Sequence, residues 1–371
     1  MKALVVGGTG PTGPHVLEGL LERGYDVTIF HRGVHEPSDL PDVRHIHGDP
    51  HFAASIDEAL GPESFGVVVA MYGRVALLAR ALAGRCEQLV SVGGTPAYRN
   101  IIDAGRWKPW GTSFPIREDA PLADASGPPD RFSQLVLEAE RAVLGLSDAG
   151  AFRGSVIRTP AIHGPRNLMP HEWLVLKRLI DGRRTIILPD GGLGIMARCA
   201  ARNAAALILA CIDRPEASAG QAFNCSDDDQ YSWRTWVDLV ADAAGGELDV
   251  VGLPTELAAM AQATLTPLAG YNPHTMLDTR KARERLGYRE AITSADQIQV
   301  TVDWLTRNPP DVARLTAWVD PFDYEREDRL VAAYRQAIAA VAAEAGWDAP
   351  DLHHPMPHPK VTTTDVDERG R

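Results

Sequence analysis

Cysteine is scarce: Cys86, Cys199, Cys211 and Cys225 are the four in 371 residues, and no two stand in a Cys-x-x-Cys pair. That argues against a disulfide framework, shows no zinc signature, and suits a reducing compartment. Long apolar runs are also lacking, and no stretch reaches the ~18 uninterrupted apolar residues of a membrane span. Ala3-Leu4-Val5-Val6 is too short for a secretory apolar region and runs straight into a glycine turn, so a cytoplasmic protein is expected. Nor is there a basic excess. Lys plus Arg number 37 against 49 Asp plus Glu, a net charge of −12, which disfavours broad nucleic-acid binding though a local basic patch stays open. No basic run with interleaved aromatics and no internal repeat is found.

What is present is a globular composition, 45% hydrophobic and 23% charged, long enough for a substantial core. Through the first half, short apolar runs alternate with amphipathic stretches. Strands are expected at Lys2–Val6, Asp26–Phe30, Val43–His47, Phe65–Met71, Gln88–Val92 and Ser155–Arg158. Helices are expected at His15–Arg23, Val75–Leu82 and Phe132–Leu144. Such alternation predicts an α/β fold, a doubly wound parallel sheet covered on both faces. After His163 the pattern is less regular: helices at Glu172–Asp181, Ala200–Ile212, Ser232–Ala244 and Arg280–Leu286, strands at Thr185–Leu188 and Gln221–Asn224. The expected organisation is a Rossmann-type domain over 1–165, a smaller interleaved α/β substrate domain over 166–310, and a helical extension with a tail over 311–371. The extension holds an alanine-rich helix, Tyr324–Glu344. The tail carries His353, His354 and His358, either metal ligands or a solvated segment.

The strongest local signal is Val5-Val6-Gly7-Gly8-Thr9-Gly10-Pro11-Thr12-Gly13, between a strand and a helix. Gly7 serves the tight turn, Gly10 lets the backbone approach a pyrophosphate, and Gly13 allows close packing of helix on sheet. Free N–H groups at the helix start favour the anion. The pattern predicts a bound dinucleotide. The second strand ends in Phe30-His31-Arg32-Gly33. An acidic residue there would bind ribose hydroxyls and favour NAD; none is present. Arg32 either pairs with a 2′-phosphate, favouring NADP, or is a surface arginine. Asp49, after the third strand, either meets the adenine amino group or serves a turn.

Taken together, the glycine loop, Val27–Gly33, His45–Asp49, Ile157–Arg166, Asp278–Ala282 and Leu286-Gly287-Tyr288 resemble the extended short-chain dehydrogenase/reductase superfamily, in its NAD-dependent epimerase/dehydratase group. The N-terminal segment is also similar to the chloroplast stem-loop RNA-binding members, although the acidic charge speaks against RNA. The resemblance implies a nicotinamide cofactor, a small carbonyl, hydroxyl or sugar-type substrate, and a homodimer paired through helices. It places Pro160 and the segment that follows near the nicotinamide.

Members of that family usually catalyse with a Ser or Thr after the fifth strand and a Tyr-x-x-x-Lys on the next helix. In this chain Gly94 stands at the hydroxyl position, with Thr95 adjacent. Counting back from Glu140, the lysine position holds Val136 and the tyrosine position Phe132. Neither can do acid–base work. Substitutes at strand ends are His163, Tyr98 and Tyr72, each either functional or packed. Hydride transfer itself needs only cofactor and substrate in register. Two function classes therefore follow: an NADP(H)-dependent oxidoreductase with a non-standard acid or base, or a non-catalytic NADP-binding regulatory or scaffold protein. Arg198, Arg202, Tyr271, Asn272 and His274 are candidate substrate contacts, and Trp107 and Trp110 a candidate lid.

Overall fold

The computed structural model describes residues 1–34, 37, 40–71, 73–99, 101–102, 112–125, 127–260, 274–311 and 322–346. Tyr72, Trp107, Trp110, Tyr271, Asn272 and the tail histidines lie outside them. The chain forms two compact units, Met1–Asp323 and Tyr324–Arg371. In the second, the described helix is Tyr324–Ala345.

The first unit is built on seven parallel strands: β1 Lys2–Val6, β2 Asp26–His31, β3 Arg44–His47, β4 Phe65–Ala70, β5 Cys86–Gly94, β6 Arg153–Thr159 and, later in the chain, Gln221–Asn224. Their spatial order is Gln221–Asn224, β6, β5, β4, β1, β2, β3. The chain runs outward from β1 to β3, then returns to lay β4 on the other side of β1. That reversal opens a crevice at the carboxyl ends of β1 and β4, where open parallel sheets bind ligands. The predicted parallel sheet is thus observed.

Strand alternation divides the core. Ala3 and Val5 face a layer with Val16, Leu17 and Leu20 of α1 (Gly13–Glu22) and Leu207 and Ile208 of the helix Ala201–Asp213. Leu4 and Val6 face the other layer, with Ile56 and Leu60 of α2 (Ala53–Leu60), Leu78 of α3 (Val75–Ala81) and Val143 of α4 (Arg131–Asp148). Each fully buried aliphatic side chain is worth about 1.5–3 kcal/mol, so two full layers dominate the stability of this half. Helix α1 starts two residues before its expected start, because Pro14 is tolerated in a first turn.

A separate core joins Trp173 and Leu176 of the helix His171–Ile180, Ile186 and Leu188 of the strand Thr185–Pro189, Trp236 and Val240 of the helix Trp233–Ala243, and Ile298 and Val302 of the helix Ser294–Arg307. The last helix was not expected from the sequence. It begins at a capped turn in which Thr293 accepts from the Asp296 N–H. The strands Thr185–Pro189 and Asp249–Leu253 pair in parallel, and Ala161–His163 pairs with Arg198–Ala200.

Candidate functional site

Where β1 ends, the chain turns through Gly7 (φ 92°) and Gly8 (φ 85°), backbone values that glycine adopts without strain. The Gly7 N–H donates to the Phe30 carbonyl at 2.9 Å, which ties the loop to β2. A Cβ at Gly13 would fall 1.8 Å from the Gly8 carbonyl oxygen, whereas one at Gly10 would meet nothing within 4 Å. Gly13 is therefore required for packing, and Gly10 faces open space. That space is a cleft of about 340 Å³. Gly7 to Thr12, His31, Arg32, Gly33 and Val34 line one part; Met71, Val92, Thr159, Ile162, Leu168, Ala204 and Ile208 line the rest. The N-terminus of α1 adjoins it, and Thr12 makes no side-chain cap there. Helix N-termini favour anions.

Among the described residues, no carboxylate lines this cleft. His31 is buried and Arg32 is exposed at the rim. Asp49 does not line it. Its Oδ1 accepts from the His51 N–H at 3.0 Å and lies 2.7 Å from His51 Nδ1, and these hydrogen bonds hold the carboxyl below the usual range. The geometry is that of an aspartate closing its own turn.

At the other end of the cleft, the catalytic candidates are placed apart from it. Tyr98 is 1% exposed and donates to Asn224 Oδ1 at 2.6 Å, with the Arg158 guanidinium 4.6 Å from its ring centre. Burial pushes its hydroxyl up to about 12. Thr95 is buried in the turn Thr95–Ala97. His163 is 3% exposed; its Nε2 lies 2.7 Å from Asp227 Oδ2, and its Nδ1 lies 3.8 Å from Glu172 Oε1. Burial opposes ionisation of Asp227, yet hydrogen bonding and charge from His163 hold its carboxyl below the usual range. Burial pushes Glu172 up. None of Tyr98, Thr95, His163 or Pro160 lines the cleft. From the same segments, Thr159 and Ile162 do, with the Thr159 hydroxyl donating to the Gly93 carbonyl at 2.7 Å.

The positions that the sequence resemblance assigns to the catalytic set are placed as follows. Gly94 pairs with Thr159 across β5 and β6. Phe132 is 59% exposed in the first turn of α4, and Val136 packs with Ala97, Ala123 and Leu137. Glu140 is buried against Arg158, accepting from its Nε at 3.0 Å and its terminal nitrogen at 2.5 Å. This carboxylate clamps α4 to the sheet. Among the candidate substrate contacts, Arg198 is buried 4.2 and 4.3 Å from the Trp233 and Trp236 ring centres, and burial lowers it to about 9. Arg202 is exposed, and His274 Nδ1 accepts from the Ile195 N–H.

Two features were missed from the sequence. One is the cleft wall made by Thr159, Ile162, Ala204 and Ile208, which needs the tertiary meeting of β6 and the helix Ala201–Asp213. The other is His45 and His47, which stand beside His31. A His-x-His spacing on a strand was the available signal for that pair.

No family model matches the chain. Sterol-4-alpha-carboxylate 3-dehydrogenase, decarboxylating, from Mus musculus is 24% identical over 341 residues, covering 81% of this chain and 90% of that protein. The Homo sapiens protein of the same description is 23% identical over 342 residues, covering 81% and 87%. Among solved structures, UDP-glucose 4-epimerase from Thermotoga maritima, with UDP-glucose, has a TM-score of 0.65 at 15% identity, covering 84% of this chain and all of that one. The dTDP-glucose 4,6-dehydratase from Bacillus anthracis, in complex with NAD, has a TM-score of 0.62 at 16% identity, covering 83% and 97%. With its sheet order, glycine turn and crevice, the chain has the fold of these solved epimerase and dehydratase structures.

Proposed function

We propose that the cleft binds a nicotinamide dinucleotide, NADP(H) in preference to NAD(H), and that the protein is an oxidoreductase acting on a small carbonyl, hydroxyl or sugar-type substrate without the usual tyrosine and lysine. The observation that carries the proposal is the open space above Gly10 beside a glycine turn that tolerates no Cβ at Gly13. A pyrophosphate fits that cradle, with backbone N–H groups and the α1 N-terminus facing it. Arg32, at the cleft rim, would pair with a 2′-phosphate, and no carboxylate among the described lining residues would serve the NAD ribose hydroxyls. Thr159 and Ile162 would form the wall for the nicotinamide end. When bound, the cofactor supplies the hydride chemistry; the chain's residues position it and exclude water.

A second proposal, a cofactor-binding protein without redox chemistry, is favoured by one arrangement. Tyr98 and His163 are buried and hydrogen-bonded away from the cleft, and Phe132 and Val136 carry no proton. Titration with NADPH and NADH, read by nicotinamide fluorescence, tests the cofactor. Wild type is expected to favour NADPH. Arg32→Ala is expected to lose about 10- to 100-fold in NADPH affinity, the weight of a charge-assisted hydrogen bond, while NADH binding stays within a few-fold. Equal affinity for both cofactors in wild type would overturn the NADP assignment. With NADPH bound, a carbonyl and sugar-nucleotide panel that changes its absorbance supports the oxidoreductase; a silent panel supports the second proposal.

A further inference from the structure

We infer that His31, His45 and His47 form a binding site for a divalent transition-metal ion of the zinc class, at the edge of the cleft. The placement follows from strand register. Parallel pairing sets His31 opposite His47 and Ile29 opposite His45. Paired residues share a face, and side chains alternate along a strand, so all three imidazoles emerge on the same side. Strand β3 is the edge of the sheet, so among the described residues no further strand covers the trio from that flank.

The rings meet edge to face, with centres 5.0 Å apart for His31 and His45 and 4.8 Å for His31 and His47. His31 Nε2 lies 2.9 Å from His45 Nδ1. One ligand nitrogen from each ring can be chosen so that all lie within 4.8 Å of one another. A tetrahedral zinc-type ion with bonds of 2.0–2.1 Å separates its nitrogen ligands by about 3.3 Å, a value between those two limits. Small rotations of the rings thus bring the three onto one ion. Imidazole suits zinc, cobalt, nickel and copper, and three protein ligands leave one position open.

The hydrogen bonding around His31 couples this site to the cleft. The Gly33 N–H donates to His31 Nδ1 at 3.2 Å, which leaves the ring proton on Nε2. When an ion takes Nε2, that proton moves to Nδ1, and the Gly33 contact is given up. Gly33 and His31 both line the cleft. Metal binding therefore reaches the wall beside Arg32.

The probe is the ion alone, so the outcome is independent of whether the cleft takes a dinucleotide. The full chain is titrated with Co²⁺, following the visible absorption of tetrahedral cobalt, and then with Zn²⁺ by calorimetry. Because His353, His354 and His358 are potential ligands, three proteins are compared: wild type, His45→Gln/His47→Gln, and His353→Gln/His354→Gln/His358→Gln. One tetrahedral Co²⁺ per chain is expected in wild type and in the tail variant, with affinity lower by at least about 100-fold in the strand variant. Absence of a tetrahedral site in wild type, an unchanged strand variant, or loss in the tail variant would overturn the inference. Should the strand variant not fold, imidazole ¹⁵N spectra of wild type decide: shifts of His31, His45 and His47 with equimolar Zn²⁺ support the site, and unmoved resonances refute it.

Discussion

At the scale of single residues, the chain holds several ionisable side chains in places that water does not reach. Asp227 is the clearest, fully buried and accepting from the Ala200 N–H and Asn203 Nδ2 at 2.7 Å each, besides its partnership with His163. Its folded-state pKa lies below the unfolded value, despite burial, because of those bonds. The carboxylate therefore contributes stability that is fully present above the unfolded value near about 3.9, and that is lost as pH falls through the folded value. Asp227→Asn is expected to lower unfolding stability by about 1.5–3 kcal/mol at neutral pH, and to flatten its decline below about pH 4. Urea unfolding across pH checks both, and an unchanged acid slope would show that Asp227 is not a stabilising titrating group. The sequence marked His163 as a loop residue of the family, but nothing in it announced a buried acid 64 positions away. Partners of that kind are set by tertiary packing and carry no local pattern.

Elements explain both what was legible and what was not. Strand and helix spans in the first half followed from apolar runs and glycine punctuation, because a parallel sheet buried on both faces needs such runs. Helix α2 and the helix Ser294–Arg307 escaped notice, since their buried apolar residues are few, Ile56 and Leu60 in one and Ile298, Val302 and Leu305 in the other, and their stability comes from neighbours. The glycine turn was legible because Gly7 and Gly8 take positive φ and Gly13 leaves no room for a Cβ. The histidine trio was not, because one member comes from β2 and two from β3, and only register unites them. The same logic applies to α4, which the Glu140–Arg158 pair ties to β6 at 5% and 4% exposure. Removing one partner of a buried pair strands the other charge. Glu140→Ala is therefore expected to destabilise the fold by about 3–5 kcal/mol, measured by urea denaturation. A loss under about 1 kcal/mol would mean that α4 is held by its apolar face alone.

For the molecule as a whole, the fold is that of proteins whose solved members include an epimerase holding UDP-glucose and a dehydratase holding NAD, while the positions that the sequence resemblance assigns to acid–base work carry Gly94, Phe132 and Val136. The sheet, the glycine turn and the crevice are present, and of those three positions Val136 is packed while Phe132 is exposed. Among the described residues, no helix is long and apolar enough to cross a membrane. Everything proposed for function depends on the cleft above Gly10. A valine there meets no protein atom at its Cβ and needs no unusual backbone, but it would fill the path proposed for a pyrophosphate. The decisive measurement is NADPH titration of wild type and Gly10→Val, with thermal melting of both. The account predicts tight binding by wild type, at least about a 100-fold loss in Gly10→Val, and melting temperatures within a few degrees of each other. Equal binding by the two proteins, or no binding by wild type, would contradict it.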